Sequence, residues 1–472
     1  MLLALVVLAT PVSDLAQDQL AFPGGERAKT QTAPSPEGRN RTDAEDVKAS
    51  SVYNVLDFGA LPAAQDNTVA VQTAIKVCQE KGGGIVQFPA GNFRFRGTLL
   101  MNGNNVWMRG VGRSSTTLIF DNGTGDGIVI GNRIPPTAPI AAWQTHSNKI
   151  IDLNIEHGPK TAGRTIAVIN HADFILEKVS IYHCVVGIYA ERINNVVLRD
   201  VVIEPDNAAA LDKSEVRWSS WVGVWWDTPP YPQDPSARSD VLYFDNVCIQ
   251  LHDAPGTGVL WDGMCDTFLI NYANILHGKY GFRVINSRGN KQDQVPQFLN
   301  ACSLLIEAAD VDLSIEAGFE FKITTSDLDM CKSNTIQVLQ DPSGARSGTV
   351  QITNSRIGNC AQSGLYIDVK DVLISNTQMF TTSLAGQNRY PAISLGPHAQ
   401  DVTIANVRAE ESIGTRLTSY GVSVAQGARN IIIDNLNANY VNLGAIDNQG
   451  AINLIVGHII EPPNGHSKSP PP

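Results

Sequence analysis

Three short segments decide how this chain is read: VGIYAE (186–191), VGVWWD (222–227) and TGVLWD (257–262). Each sets a Gly before an alternation of residues. Strand side chains change face with period two, so Ile188 and Ala190, Val224 and Trp226, and Val259 and Trp261 share one face. Tyr189 and Glu191, Trp225 and Asp227, and Leu260 and Asp262 share the other. Stacked as parallel strands ~4.8 Å apart, the segments bring three carboxylates into one outward column. Such a column is costly for a fold and useful for acid–base chemistry.

Working outward, the chain repeats itself. Segments such as NNVVLRDVVI (from 194), QDVTIANVRA (from 400) and RNIIIDNLNA (from 429) recur, all with Asn or Asp before alternating apolar residues. Between them lie strand starts anchored at 127, 165, 187, 223, 258, 281, 312, 335, 364, 392, 421 and 444, mostly 22–31 residues apart and near 35–38 at the longest. One such coil cannot bury its apolar face, whereas a stack of them buries a continuous core. Repeats of this length without intervening helices predict an all-β chain, a right-handed single-stranded parallel β-helix. Asn at the corners suits tight turns and side-chain ladders. Long steps mark insertions at 206–220, 229–238 and 286–298, polar loops of the kind that wall a groove.

Ahead of the repeats, Asn67-Thr68 can cap a short helix, VAVQTAIKVCQEK, with an apolar face at 69, 71, 74, 75, 77 and 78. Residues 2–9 are apolar but too few to cross a bilayer, which takes about 20. They read as part of a signal peptide over 1–16, giving a secreted or periplasmic protein. Residues 17–50 read as a disordered linker, 51–460 as the β-helix with a cap module over 51–100, and 461–472 as a disordered tail. The net charge of −11 and pI near 5.3 argue against nucleic acid or an anionic membrane as partner. An anionic substrate would need local basic residues or a bound cation. Seven Cys, widely spread and without CxxC, read as buried free thiols.

The stretch YNVLDFGA…NTVAVQTAI…GGGIVQFPAGNFRF (53–95) resembles the N-terminal module of the pectate-lyase-like superfamily, which includes rhamnogalacturonase- and polygalacturonase-like hydrolases, epimerases and phage tailspikes. The resemblance implies a β-helix whose open end is capped by the helix, and leaves the reaction open. Leu61-Pro62-Ala63-Ala64 replaces the common Gly-Asp-Gly. The Asn-Thr-Asp and Asp-Asp motifs of polygalacturonase-like hydrolases are absent. Arg283 stands where their Arg would, but Ile285 takes the Lys place and His277-Gly278 precedes a different strand. Tyr280-Gly281-Phe282 is followed by Arg283-Val284, where alginate epimerases have Asp-Pro-His. No catalytic set is carried over.

The residues themselves support three readings. Glycoside hydrolysis needs two carboxyl groups, one held protonated; Asp227 and Asp262 are the candidate pair, with Glu191 third. These acids can instead be solvated, or paired with Lys213, Arg217 or Arg238. A uronate lyase would use Arg283 or Lys279 as base and Ca²⁺ held by the acids, unless Arg283 simply bridges to Asp262. No cofactor is required for hydrolysis. The third reading is a tailspike-like or adhesin binder of carbohydrate, possible as a homotrimer. Tyr189, Trp225, Tyr280, Lys279, Glu316 and Tyr366 are the candidate substrate-binding residues, in a groove around 189–320. Among the aromatics, Trp225 should be exposed and Trp226 and Trp261 stacked in the core, with Trp218 and Trp221 undecided. Six of the nine histidines, His146, His157, His171, His183, His252 and His277, read as turn or surface residues, with His277 also a catalytic candidate.

Overall fold

The alternation in the Gly-led segments becomes one long ladder of parallel strands. Val186–Glu204 pairs with Val222–Thr228, then Thr257–Gly263, Tyr280–Ile285, Val311–Ile315, Ile336–Val338, Leu365–Ile367, Ile393–Leu395, Tyr420–Val424 and Gly444–Asn448. The same chain builds further ladders after each corner, as where Gln400–Glu410 pairs with Lys370–Ser375 on one side and Arg429–Asn437 on the other. All pairings are parallel, and the chain coils as a right-handed parallel β-helix. The computed structural model describes residues 51–132, 145–158, 162–205, 221–229, 238–251, 256–290, 294–411 and 416–463. The expected signal peptide, linker and most of the tail lie outside the described residues, as do Lys213, Arg217, Trp218 and His252.

The core runs down the inside of the coils as rungs of Val, Ile, Leu and Phe. Trp226 and Trp261 stack in register, ring centroids 5.3 Å apart and 9° from parallel. Corners follow the Asn pattern: Asn376, Asn406 and Asn435 have φ of 50°, 55° and 52°, a left-handed conformation that Asn tolerates. Asn406 donates to Asn376 across the coils, 3.2 Å. The glycines opening the ladder are there for close approach. A Cβ on Gly223 would sit 2.5 Å from Ile249 Cγ2 and 2.6 Å from the Gly258 carbonyl oxygen. At the last coil the register is one residue off the sequence expectation, for Ala445 rather than Gly444 stands opposite Gly421.

The cap module holds the one α-helix among the described residues, Thr68–Glu80, with Val71, Ala74, Ile75 and Cys78 buried. Two details differ from expectation. Val69 is exposed, because it lies in the first turn on the outer side. Asn67 does not cap the helix by its side chain; it accepts from Leu61 N (2.7 Å), and Asp66 accepts from Thr68 N (2.9 Å) instead. The cysteines are all unbridged, five buried and Cys248 and Cys302 half-buried. Two histidines depart from the surface reading. His171 is fully buried against Thr145, and its pKa falls to about 3 through burial and then His146; His157 is buried beside Thr165. Burial of a neutral imidazole is acceptable where one ring nitrogen finds a hydroxyl.

Candidate functional site

Register alone assembles the acidic column: Glu191 stands opposite Asp227, and Asp227 opposite Asp262. Its surroundings differ from the expectation. Asp227 and Asp262 are 3% and 2% exposed. Neither is solvated, and their described partner is not Arg238, which pairs with Asp266 at 3.3 Å. The turn after Tyr280–Ile285 folds back over the column. Arg288 donates from Nη1 to Asp227 Oδ1 (2.7 Å) and from Nη2 to Oδ2 (2.8 Å), and its Nη1 lies 3.6 Å from Asp262 Oδ2. Ser287 donates its backbone N–H to Asp262 Oδ1 (3.0 Å) and its hydroxyl to Oδ2. Asn286 anchors this turn, donating to Asp341 (2.7 Å) and to the Asn290 carbonyl (2.8 Å).

Burial pushes the Asp227 carboxyl up to about 6, Arg288 opposes that, and the charges of Asp262 and Glu191 add to it. Tyr189 lies against the same group, its hydroxyl within 2.7 Å of Glu191 and 3.2 Å of Asp227. Burial, then those two carboxylates, hold its phenol well above the usual range, so it stays a donor. Asp227 and Asp262 oxygens lie no farther apart than the two Arg288 contacts laid end to end, which sets the pair on the short side of the inverting range of ~6.5–9.5 Å.

The aromatic residues of this face were expected to be open, and they are not. Tyr189 and Trp225 meet edge to face at 5.4 Å, and both are buried in a small apolar cluster with Ala167, Ile169, Val186 and Val222. The outward ladder positions of these coils are apolar for several rungs, from Ala167 through Tyr189 and Trp225 to half-buried Leu260, so they pack on one another. Trp221 joins them. Arg283 does not bridge to Asp262; it grips Glu316 with Nε (2.7 Å) and Nη2 (2.8 Å) and lies over the Tyr280 ring at 4.5 Å. Lys279 is exposed, 5.5 Å from that ring. Among the described residues no group of three or more His, Cys, Asp or Glu is placed to hold a metal ion. Arg288 supplies the positive charge between Asp227 and Asp262.

Further along the same sheet the face opens. Rungs Ser314, Gln337, Tyr366, Ser394 and Ser423 continue the column of Arg283. A groove of about 560 Å³ lies over Gln337, Tyr366, Ser394 and Ser423, lined also by Tyr390, Tyr420, Asp447 and Gln449. Gln337 donates to Ser314 (2.8 Å), and Gln449 to Asp447 (2.9 Å). This groove lies among the C-terminal coils, and of the candidate binding residues Tyr366 lines it. Tyr390 and Tyr420 were missed: Tyr390 stands in the loop before Ile393–Leu395, and Tyr420 opens its ladder strand one residue before Gly421, ahead of the positions that the alternation reads. Arg288 was missed for a similar reason, since it reaches two coils back from a turn.

Fold and site define the class: a solenoid with a polar, partly aromatic groove on the outer face of one sheet. The chain has the parallel β-helix fold, and its N-terminal part is similar to pectate-lyase-like proteins. Residues 52–157 match the family described as rhamnogalacturonase A/epimerase, pectate lyase-like. A mannuronan C5-epimerase of Azotobacter vinelandii is 38% identical over 78 residues, 15% of this chain and 4% of that protein. The match thus spans a small part of that relative's length. Tailspike protein 3 of bacteriophage CBA120 superposes with a TM-score of 0.53 at 11% identity, over 89% of this chain and 62% of the tailspike. A family 28 exopolygalacturonase of Yersinia enterocolitica gives 0.52 at 12% identity, over 87% of this chain and 78% of the enzyme. These likenesses establish the fold. Among the described residues, no helix is long and apolar enough to cross a membrane.

Proposed function

We propose that this is an exported polysaccharide-active protein, and that glycoside hydrolysis is the reaction its acidic column supports best. One observation carries the reading: two carboxyl groups in register on adjacent coils, one of them held near 6. Asp227 is suited to give a proton to the leaving oxygen, and Asp262 to attack or stabilise the sugar centre. Tyr189 holds Asp227 and Glu191 in place. Arg288 reaches both carboxyls from a turn whose side chain is 29% exposed, so sugar gains access by displacing that turn rather than by unpacking the core. The polymer lies along the sheet toward Tyr366.

A second reading is favoured by the same contacts. Arg288 and Ser287 together occupy every oxygen of Asp227 and Asp262. If the turn never lifts, the column is a buried ion pair and the chain holds glycan without cleaving it. The lyase reading is weaker, because Arg283 is committed to Glu316 and leaves the exposed Lys279 as its base.

The test is a panel of neutral and uronate-containing polysaccharides incubated with the intact protein, following reducing ends and the absorbance of unsaturated uronate together. Reducing ends without that absorbance establish hydrolysis. Both signals rising overturn it in favour of elimination. Neither signal, with sugar still bound, leaves the binder.

A further inference from the structure

A second groove, of about 1010 Å³, lies along the turns leaving the long sheet on the side away from Tyr390 and Tyr420. Its floor comes from successive coils: Lys370, Gln400 and Arg429 stand in register. At ~4.8 Å per coil, the Lys370 and Arg429 backbones are about 10 Å apart along the axis. The segment 340–347 forms one wall and contributes Arg346.

Two of the cations here, Arg346 and Arg429, are set in place, and Lys370 is exposed. Arg346 lies over the Phe319 ring at 3.9 Å, with Glu320 at 3.9 Å. Arg429 donates to Gln400 Oε1 from Nε at 2.7 Å, and Gln400 in turn donates to Asp401 at 2.7 Å. His398 is held by Asp368, which accepts from its backbone N–H (2.8 Å) and lies 3.0 Å from Nδ1. Glu320, Asp368 and Asp401 are not among the lining residues. The one lining carboxylate, Asp341, is already taken up by Asn286 and by the Ser343 N–H, each at 2.7 Å.

A chain of net charge −11 thus gathers three permanent cations and a histidine along one channel. Guanidinium forks match planar or tetrahedral oxyanions, and a walled groove raises the local concentration of the opposite charge. We propose that this groove binds an anionic glycan, with Lys370, Arg346 and Arg429 each taking an oxyanion group along the chain. The shared chemistry is a carboxylate or sulfate carried on a sugar polymer. The proposal does not rest on cleavage at Asp227 and Asp262.

The experiment is calorimetric titration of the intact protein with a short oligouronate, a sulfated oligosaccharide of similar length and a neutral oligoglucan. The two charged ligands distinguish the anion: tighter binding of one assigns it. The neutral ligand should not compete for this groove. Lys370→Ala with Arg429→Ala should lower affinity for the charged ligand at least tenfold with an unchanged melting curve, while Lys332→Ala, outside the groove, should not. Binding should weaken as salt rises beyond about 0.15 M, where screening acts within ~8 Å. Failure of both charged ligands to bind, or equal binding by the double variant, overturns the proposal. Asp227→Asn with Asp262→Asn should leave this binding intact whatever it does to cleavage, which separates the two readings.

Discussion

Arg288 clasps Asp227 through two parallel hydrogen bonds of 2.7 and 2.8 Å, from a turn 61 residues further along the chain. The pair joins two coils of the solenoid and closes the acidic column from outside. Arg288→Ala leaves a buried carboxylate without its partner, a change that costs about 3–5 kcal/mol at fully buried pairs. With the arginine side chain 29% exposed, about 2–3 kcal/mol is expected. Arg288→Lys should lie between, since a point charge cannot form the fork. Denaturant unfolding at pH 8 measures both.

Stability should fall as pH rises through the window set by Asp227. Its carboxyl titrates near 6 in the folded state and near 3.9 in the unfolded chain. Between those values the native state binds more protons, so ΔG of unfolding declines from about pH 4 to about 6 and then levels. Asp312, also buried and held well above the ordinary range by burial, contributes the same sign. Asp227→Asn should flatten part of the slope. A wild type whose stability rises across that window would contradict the assignment.

The glycine ladder should tolerate Ala unevenly. Gly223→Ala forces a Cβ against Ile249 and the Gly258 carbonyl at about the distances where something must move, costing roughly 2 kcal/mol. At Gly421 the nearest atom would be the Ala445 carbonyl oxygen at 2.9 Å, and Ala392 and Ala445 already occupy this ladder position. Gly421→Ala should cost less. Unfolding midpoints of the two variants compare them directly.

Much of this architecture was legible because strand parity is unforgiving. The alternation in VGVWWD and TGVLWD placed Trp226 against Trp261 and Asp227 against Asp262, and both pairings hold. Asn at the corners was readable from its tolerance of left-handed backbone. Parity says which way a side chain points, but not what covers it. Trp225 points outward and is 9% exposed, because Tyr189 and its rung neighbours are apolar too. Glu316 as the partner of Arg283 was within reach, lying one coil on and two residues along the outward face. Arg288 was not, since no local periodicity ties a turn residue to a carboxylate two coils back.

If the pair is catalytic, its closeness fixes the stereochemistry. Carboxyl groups about 5–5.5 Å apart act by double displacement with retention, and wider pairs by inversion. Proton NMR of the first-formed product should therefore show the anomeric configuration of the substrate kept.

The most direct measurement is the initial rate of reducing-end release by the wild type and by Asp262→Asn, on a polysaccharide that the wild type cleaves. Asp262 is not the residue Arg288 grips in a fork, so the amide can keep the Ser287 contact at Oδ1 and the fold. The account predicts a rate at least ~10²-fold lower, the scale on which positioned acid–base groups act, with sugar binding retained. Cleavage by Asp262→Asn at the wild-type rate would contradict it and move the chemistry away from the column.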